Sequence, residues 1–246
     1  MTSDSHLGLS AAPFHTTRWS RVCLAKADSE HGRRALADLC EIYYLPVVAY
    51  LGHELRDPEA AREMSHAFFA EMLAGGTIRT ADERRGRFRS YLLGAVKHFV
   101  FRQREIRRSL KRGAGHQPVS MDDEGVANVP DGNVMSPDAA FDLQWALTTL
   151  ERALEALRAE CRSEGKASIF DHIRPMLTGD AAYGDQAAAA AACGMGIEAF
   201  RVALHRMKRR LRQCVKAEVA GTLEDAEAVA DEMRILFEAL GGSKRL

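Results

Sequence analysis

Apolar positions along this chain recur at intervals of three and four, and no stretch alternates with a period of two. The clearest case is Gly194–Lys216. Ile197, Phe200, Leu204, Met207 and Leu211 fall on one helical face at spacings of 3, 4, 3 and 4. Arg201, Arg206, Lys208, Arg209, Arg210, Arg212 and Lys216 lie off that seam, and no acid falls between positions 199 and 217. Immediately before it, Cys193-Gly194-Met195 follows an alanine run that reads as helix. Helix, short glycine turn and basic amphipathic helix together outline a helix-turn-helix. A basic amphipathic helix lying on a membrane or a partner is the competing reading.

The same periodicity predicts a helix from about Arg33 to His53, which Pro46 is expected to bend or restart. Asp57-Pro58-Glu59 reads as an N-cap, a proline in the first turn and an acid suited to the helix dipole. The helix it opens carries Ala61, Met64, Phe68 and Met72 on one face and ends at Gly75-Gly76. Phe88, Leu92, Ala95, Val96 and Phe99 form another seam, in a helix that continues through a run of arginines to Gly113. Residues 113–135 hold scattered Gly and Pro around an acidic Met121–Glu124 and read as a linker. Ser136-Pro137-Asp138 caps the next helix, which carries Phe141, Trp145, Leu147, Thr148, Leu150, Leu154 and Leu157. A short helix from Ile169 to Leu177, interrupted by Pro175, precedes the helix-turn-helix at 184–218. The amphipathic tail from Asp225 to Leu240 is expected to pack back on the C-terminal domain. The predicted fold class is all-α, with two helical domains joined by a flexible linker and the helix-turn-helix in the second. The expected divisions are an arm at 1–32, a helical domain at 33–112, the linker at 113–135, a second domain at 136–220 and an extension at 221–246.

Charge sharpens this outline. The net charge of zero conceals two basic stretches. Residues 84–112 hold eleven Lys and Arg against Glu105 alone, and residues 201–216 hold seven against none, so the rest of the chain carries −17. Two basic helices in an otherwise acidic chain point to two separate polyanion contacts. The five cysteines are scattered with no C-x-x-C pair, which argues against a zinc ribbon or disulfide framework and for a reducing, cytoplasmic setting. No run of 18 apolar residues occurs, and the first residues lack a signal-peptide pattern, so neither a membrane partner nor export is expected. Glu63-x-x-His66 has di-iron spacing but no second copy, so no metal is expected. No nucleophile–base set or phosphate loop appears, so neither an enzyme nor a cofactor is expected.

The order of these parts resembles a family. The chain is similar to RNA polymerase sigma factors of the extracytoplasmic-function (ECF) type, in a subgroup with an N-terminal F-x-T-T-R-W-S and a C-terminal extension. Phe14–Ser20 reads F-H-T-T-R-W-S. Asp57–Leu73 resembles the family's polymerase-docking helix, and Arg85–Phe99 its promoter-melting region. Pro118–Asp122, PVSMD, is similar to its linker. Gly194–Arg212 is similar to its upstream-element reader, and Asp231–Leu240 to its tail. The chain departs from the family at Arg62 and Ala67 in the docking helix, and at Ala189 in the helix before the turn.

The resemblance implies a promoter-specificity subunit with core RNA polymerase and promoter DNA as partners, and allows an anti-sigma or other regulatory protein. It places polymerase docking at Asp57, Glu59, Glu63, His66, Phe69 and Glu71. It places downstream-element contacts at Arg87, Arg89, Tyr91, Lys97, His98, Phe101, Arg102, Arg104, Arg107 and Arg108, where aromatics among arginines suit phosphates and unpaired bases. On the helical wheel of 194–216, the face opposite the apolar seam holds Glu198, Val202, His205, Arg206 and Arg209, with Arg201 at its flank. These are the candidates for base edges, while Lys208, Arg210 and Arg212 are better placed for phosphates. A sigma-derived DNA-binding regulator or interaction protein that no longer docks on polymerase is the alternative.

Overall fold

A computed structural model describes residues 19–27, 29–74, 76–81, 87–113, 135–179, 185–220 and 226–241. Among the described residues every regular element is an α-helix. They are α1 (Trp19–Ala25), α2 (Glu30–Leu55), α3 (Pro58–Leu73), the single turn α4 (Gly76–Arg79) and α5 (Phe88–Gly113). These are followed by α6 (Pro137–Ser163), α7 (Ala167–Thr178), α8 (Asp185–Ala192), α9 (Ile197–Ala220) and α10 (Ala226–Ala239). Phe14–Arg18 of the aromatic arm, Gly75 and nearly all of the 113–135 linker lie outside the described residues.

The chain clusters into two compact units, Thr149–Gly221 in one and Thr17–Thr148 with Thr222–Arg245 in the other. The division falls inside α6, whose helix runs unbroken through it.

In the larger unit, α1 packs on α2, α2 on α3, and α3 on α4. Helix α2 starts where the Ser29 side chain accepts from the Gly32 amide, and ends on Arg56 in the left-handed region at φ 54°. It does not restart at Pro46. Tyr43, Val47 and Leu51 are buried on either side of the proline, and that packing offsets the roughly 3 kcal/mol a mid-helix proline costs. By length and composition alone α2 could cross a bilayer, but half of its most apolar stretch is buried against its own neighbours. Asp57 caps α3 as expected, accepting from the Glu59 and Ala60 amides at 2.9 and 3.2 Å. Helix α5 docks through two edge-on ring pairs, Tyr43–Phe88 at 5.4 Å and Phe68–Phe99 at 5.5 Å.

The tail corrects an expectation. Helix α10 belongs with the larger unit, not with the C-terminal region that precedes it. Its Val229 and Leu236 are buried, and its Asp231 and Glu232 pair with arginines at the start of α5. Opposite charge adds to this apolar burial, because the acids of α10 meet Arg87 and Arg89 where α5 begins.

In the smaller unit, α7, α8 and α9 pack on one another. Pro175 lies inside α7, which continues to Thr178 and closes on Gly179 at φ 81°. Between α8 and α9, Gly194 adopts φ 64°. Its amide donates to Ala191 O, and the Met195 amide donates to Ala190 O at 2.9 Å, the paired bonds of a Schellman stop. The two helices are bent by 99° across this turn.

Burial pushes the Cys40 and Cys214 thiols up to about 11, while Cys23 is exposed. The thiolate is the reacting form. Brief alkylation of the folded protein at neutral pH is therefore expected to modify Cys23 ahead of Cys40 and Cys214, as read by peptide mass mapping.

Candidate nucleic-acid interface

Helix α9 separates its two faces as its spacing demands. Phe200, Leu204, Met207 and Leu211 are buried, and the seam continues through Cys214, Val215 and Val219. On the other side Glu198, Arg201, Val202, His205, Arg206 and Arg209 are all exposed, as are Lys208, Arg210 and Arg212. Val202 is 50% exposed, an apolar side chain set among cations. Arg201 leans on Glu198 at 2.8 Å, an exposed pair of neighbouring turns that is easily exchanged.

Arg210 is a different case. Its Nε and Nη2 donate to the two carboxylate oxygens of Glu160 on α6, at 2.8 and 2.6 Å. Those hydrogen bonds raise the guanidinium above its ordinary value. A fork already filled by a carboxylate is poorly placed for a phosphate, so Arg210 leaves the phosphate group and becomes a pin between α9 and α6. Arg152 on α6 adds a second pin to the buried Glu218, at 3.4 Å. Arg206, Lys208, Arg209 and Arg212 make no ion pair among the described residues. The exposed face of α9 thus offers four uncommitted cations around His205 and Val202.

Helix α5 departs further from its sequence reading. Arg89 is only 7% exposed. Its Nε and Nη2 donate to Glu232 at 3.1 and 3.4 Å, and its Nη1 donates to Asp142. Its guanidinium also lies 4.8 Å from the Trp145 ring centroid. All three nitrogens are engaged, so Arg89 is not a nucleic-acid contact in this arrangement. Burial pushes the Asp142 carboxyl above its ordinary value, and Arg89 acts against that rise. Arg87 reaches Asp231 at 3.1 Å and Glu232 at 3.3 Å. Lys97 pairs with Asp138 at 2.6 Å, Arg104 with Glu54 at 2.9 Å and Arg108 with Glu105 at 3.3 Å. Arg102 pairs with Glu71 and lies over the Phe99 ring. The Tyr91 hydroxyl is hydrogen-bonded to Thr80 at 2.8 Å. His98 and Arg107 are exposed, and Phe101 is 63% exposed. Among the described side chains of α5 the basic groups are therefore largely paired from within, leaving His98, Phe101 and Arg107 as open positions.

On α3, Phe69 is buried against Tyr44 and Phe68 and belongs to the core, not to a docking surface. Asp57 is occupied as the helix cap, Glu59 pairs with Arg62 at 3.0 Å, and Glu71 pairs with Arg102. Glu63 and His66 remain on the exposed face, with His66 Nε2 and the Tyr44 hydroxyl hydrogen-bonded at 3.0 Å. Leu73, 55% exposed at the end of this helix, and Leu45, exposed on α2, are apolar side chains outside the candidate positions. Leu73 lies off the Ala61–Met72 seam on the wheel, which is the sequence signal for its exposure.

No family model, curated protein or solved structure matches the chain.

Proposed function

We propose that this chain is a promoter-specificity subunit of the sigma-factor type. It binds core RNA polymerase, brings it to particular promoters and catalyses no reaction itself. The observation that carries this reading is the pair α8–α9. A 99° bend over a Gly194 turn lies in the range of DNA-reading helix-turn-helix pairs. The exposed face of the second helix holds Val202, His205, Arg206 and Arg209, the residue types that read base edges in the major groove. Lys208 and Arg212 flank them for phosphates. His98, Phe101 and Arg107 on α5 supply a second contact suited to an opened strand, and Glu63, His66 and Leu73 on α3 a surface for the polymerase.

Run-off transcription with core polymerase on a promoter library tests the reading, and failure to support any start site would sink it. Two substitutions probe the interface. Arg206→Ala should relax preference at one or two base pairs, by about 1–3 kcal/mol each. Lys208→Ala should weaken all sequences alike and lower the salt slope by about one. Equal weakening of every sequence by Arg206→Ala would remove it from base reading.

The internal pairing of the α5 cations favours one second reading, a sigma-derived DNA-binding regulator that no longer docks on polymerase or opens promoters. Capture by core polymerase separates the two, since only the first reading requires it.

A further inference from the structure

Carboxylates of this chain sit on the basic groups that open α5. Asp231 accepts from Arg87 Nη2 at 3.1 Å, and Glu232 accepts from Arg87 Nε at 3.3 Å and Arg89 Nε at 3.1 Å. Asp142 takes the remaining nitrogen of Arg89. Two turns on, Asp138 accepts from Lys97 Nζ at 2.6 Å. A carboxylate offers a guanidinium the same adjacent acceptor oxygens as a phosphate does. The acids of α10 and α6 therefore stand where a nucleic-acid backbone would contact α5. Helix α10 is not merely tethered there, because Val229 and Leu236 are buried and Glu232 is only 2% exposed.

We propose that α10 is an internal strap that competes with single-stranded DNA for Arg87 and Arg89, so that α5 grips DNA fully only after α10 is displaced. The proposal rests on the reading of α5 as a DNA-contacting helix and adds its regulation. The layout of the pairs supports exchange over rupture. The Arg87–Asp231 pair is partly open to solvent, and the Lys97–Asp138 pair is exposed, so phosphates can replace these carboxylates at little cost. The inner pair is protected, and Arg89 would be left without a partner on that side unless a phosphate took the place of Glu232. Asp142 stays behind on α6 and keeps the guanidinium aimed. A strap closed about 99% of the time lowers the apparent affinity of the covered surface about 100-fold.

The test uses the full chain and its D231N/E232Q variant, which keep the same shapes with the charges removed. Binding of a short fluorescent single-stranded oligonucleotide is measured by anisotropy over a salt series, beside a duplex selected for binding through α9. The strap predicts that the variant binds the single strand about tenfold or more tightly and the duplex unchanged. In the unaltered protein, it predicts that saturating oligonucleotide speeds amide hydrogen exchange in residues 226–239. Unchanged or weaker single-strand binding by a folded variant, or α10 protection that does not respond to the oligonucleotide, overturns the strap, while intact duplex binding leaves the proposed function standing. If neither protein binds either DNA, the DNA-binding reading fails and the strap falls with it. Should the variant not fold, exchange in the unaltered protein decides alone.

Discussion

Arg89→Ala is expected to lower the stability of the unit that holds α5 by about 3 kcal/mol, because it leaves the half-buried Asp142 without its cation and the buried Glu232 with Arg87 alone. Arg89 is the shared partner of Glu232 and Asp142 and covers Trp145. Removing it leaves the burial that pushes Asp142 up without its main opposing charge. The sign of the pH dependence follows. A carboxyl whose folded value is raised is favoured while protonated, so its contribution is present at acid pH and lost as pH rises through that value. The Ala variant should therefore suffer less at mildly acidic pH than at neutral pH. Urea unfolding followed by near-ultraviolet circular dichroism at both pH values measures this, with Trp145 as a reporter. In a D142N/E232Q background the same substitution should cost far less, since no charge is left unpaired. A loss below about 1 kcal/mol in the unaltered background would mean that the cluster is solvated in solution.

Phe200→Ala is expected to cost about 3–5 kcal/mol in the other unit. Phe200 is fully buried in the first turns of α9, which rest on α7 and α8. Helix α8 is nearly all alanine, so little from that side can move in to fill a cavity. The large side chains available are those of α7, Phe170, Ile173 and Leu177, already buried. Loss of Phe200 should therefore loosen α9 itself and, under the proposed function, lower duplex binding together with stability. Val202→Ala, on the exposed face, should leave stability within about 0.5 kcal/mol. Denaturant unfolding and duplex affinity, measured on the same preparations, check both. A Phe200→Ala variant as stable as the parent would mean that α9 is not seated as described.

The helices were legible because each carries a local period. The seam of α9, the Asp57 cap and the glycine between α8 and α9 all follow from residues close in sequence. What was not legible is pairing across distance. Arg89 meets Glu232 across 143 positions and Asp142 across 53, and Arg210 meets Glu160 across 50. No periodicity marks such a contact, so arginines that read as free cations proved to be committed. The acidic remainder of −17 said only that partners existed, not where. Phe69 is a nearer miss. The seam Ala61-Met64-Phe68-Met72 is narrower than the stripe a globular helix usually buries, and widening it by one position takes in Phe69.

Gly194 shows how a surface position can acquire the mutational signature of an interior one. A Cβ added there meets nothing within 4 Å, so bulk is not the obstacle. The obstacle is the sign of its φ, which costs most side chains about 1–2 kcal/mol. In a saturation library this site would reject small and large residues alike, with asparagine and aspartate the most tolerated. A ranking by solvent exposure would place it among the freest positions in the chain, when its freedom is set by backbone handedness.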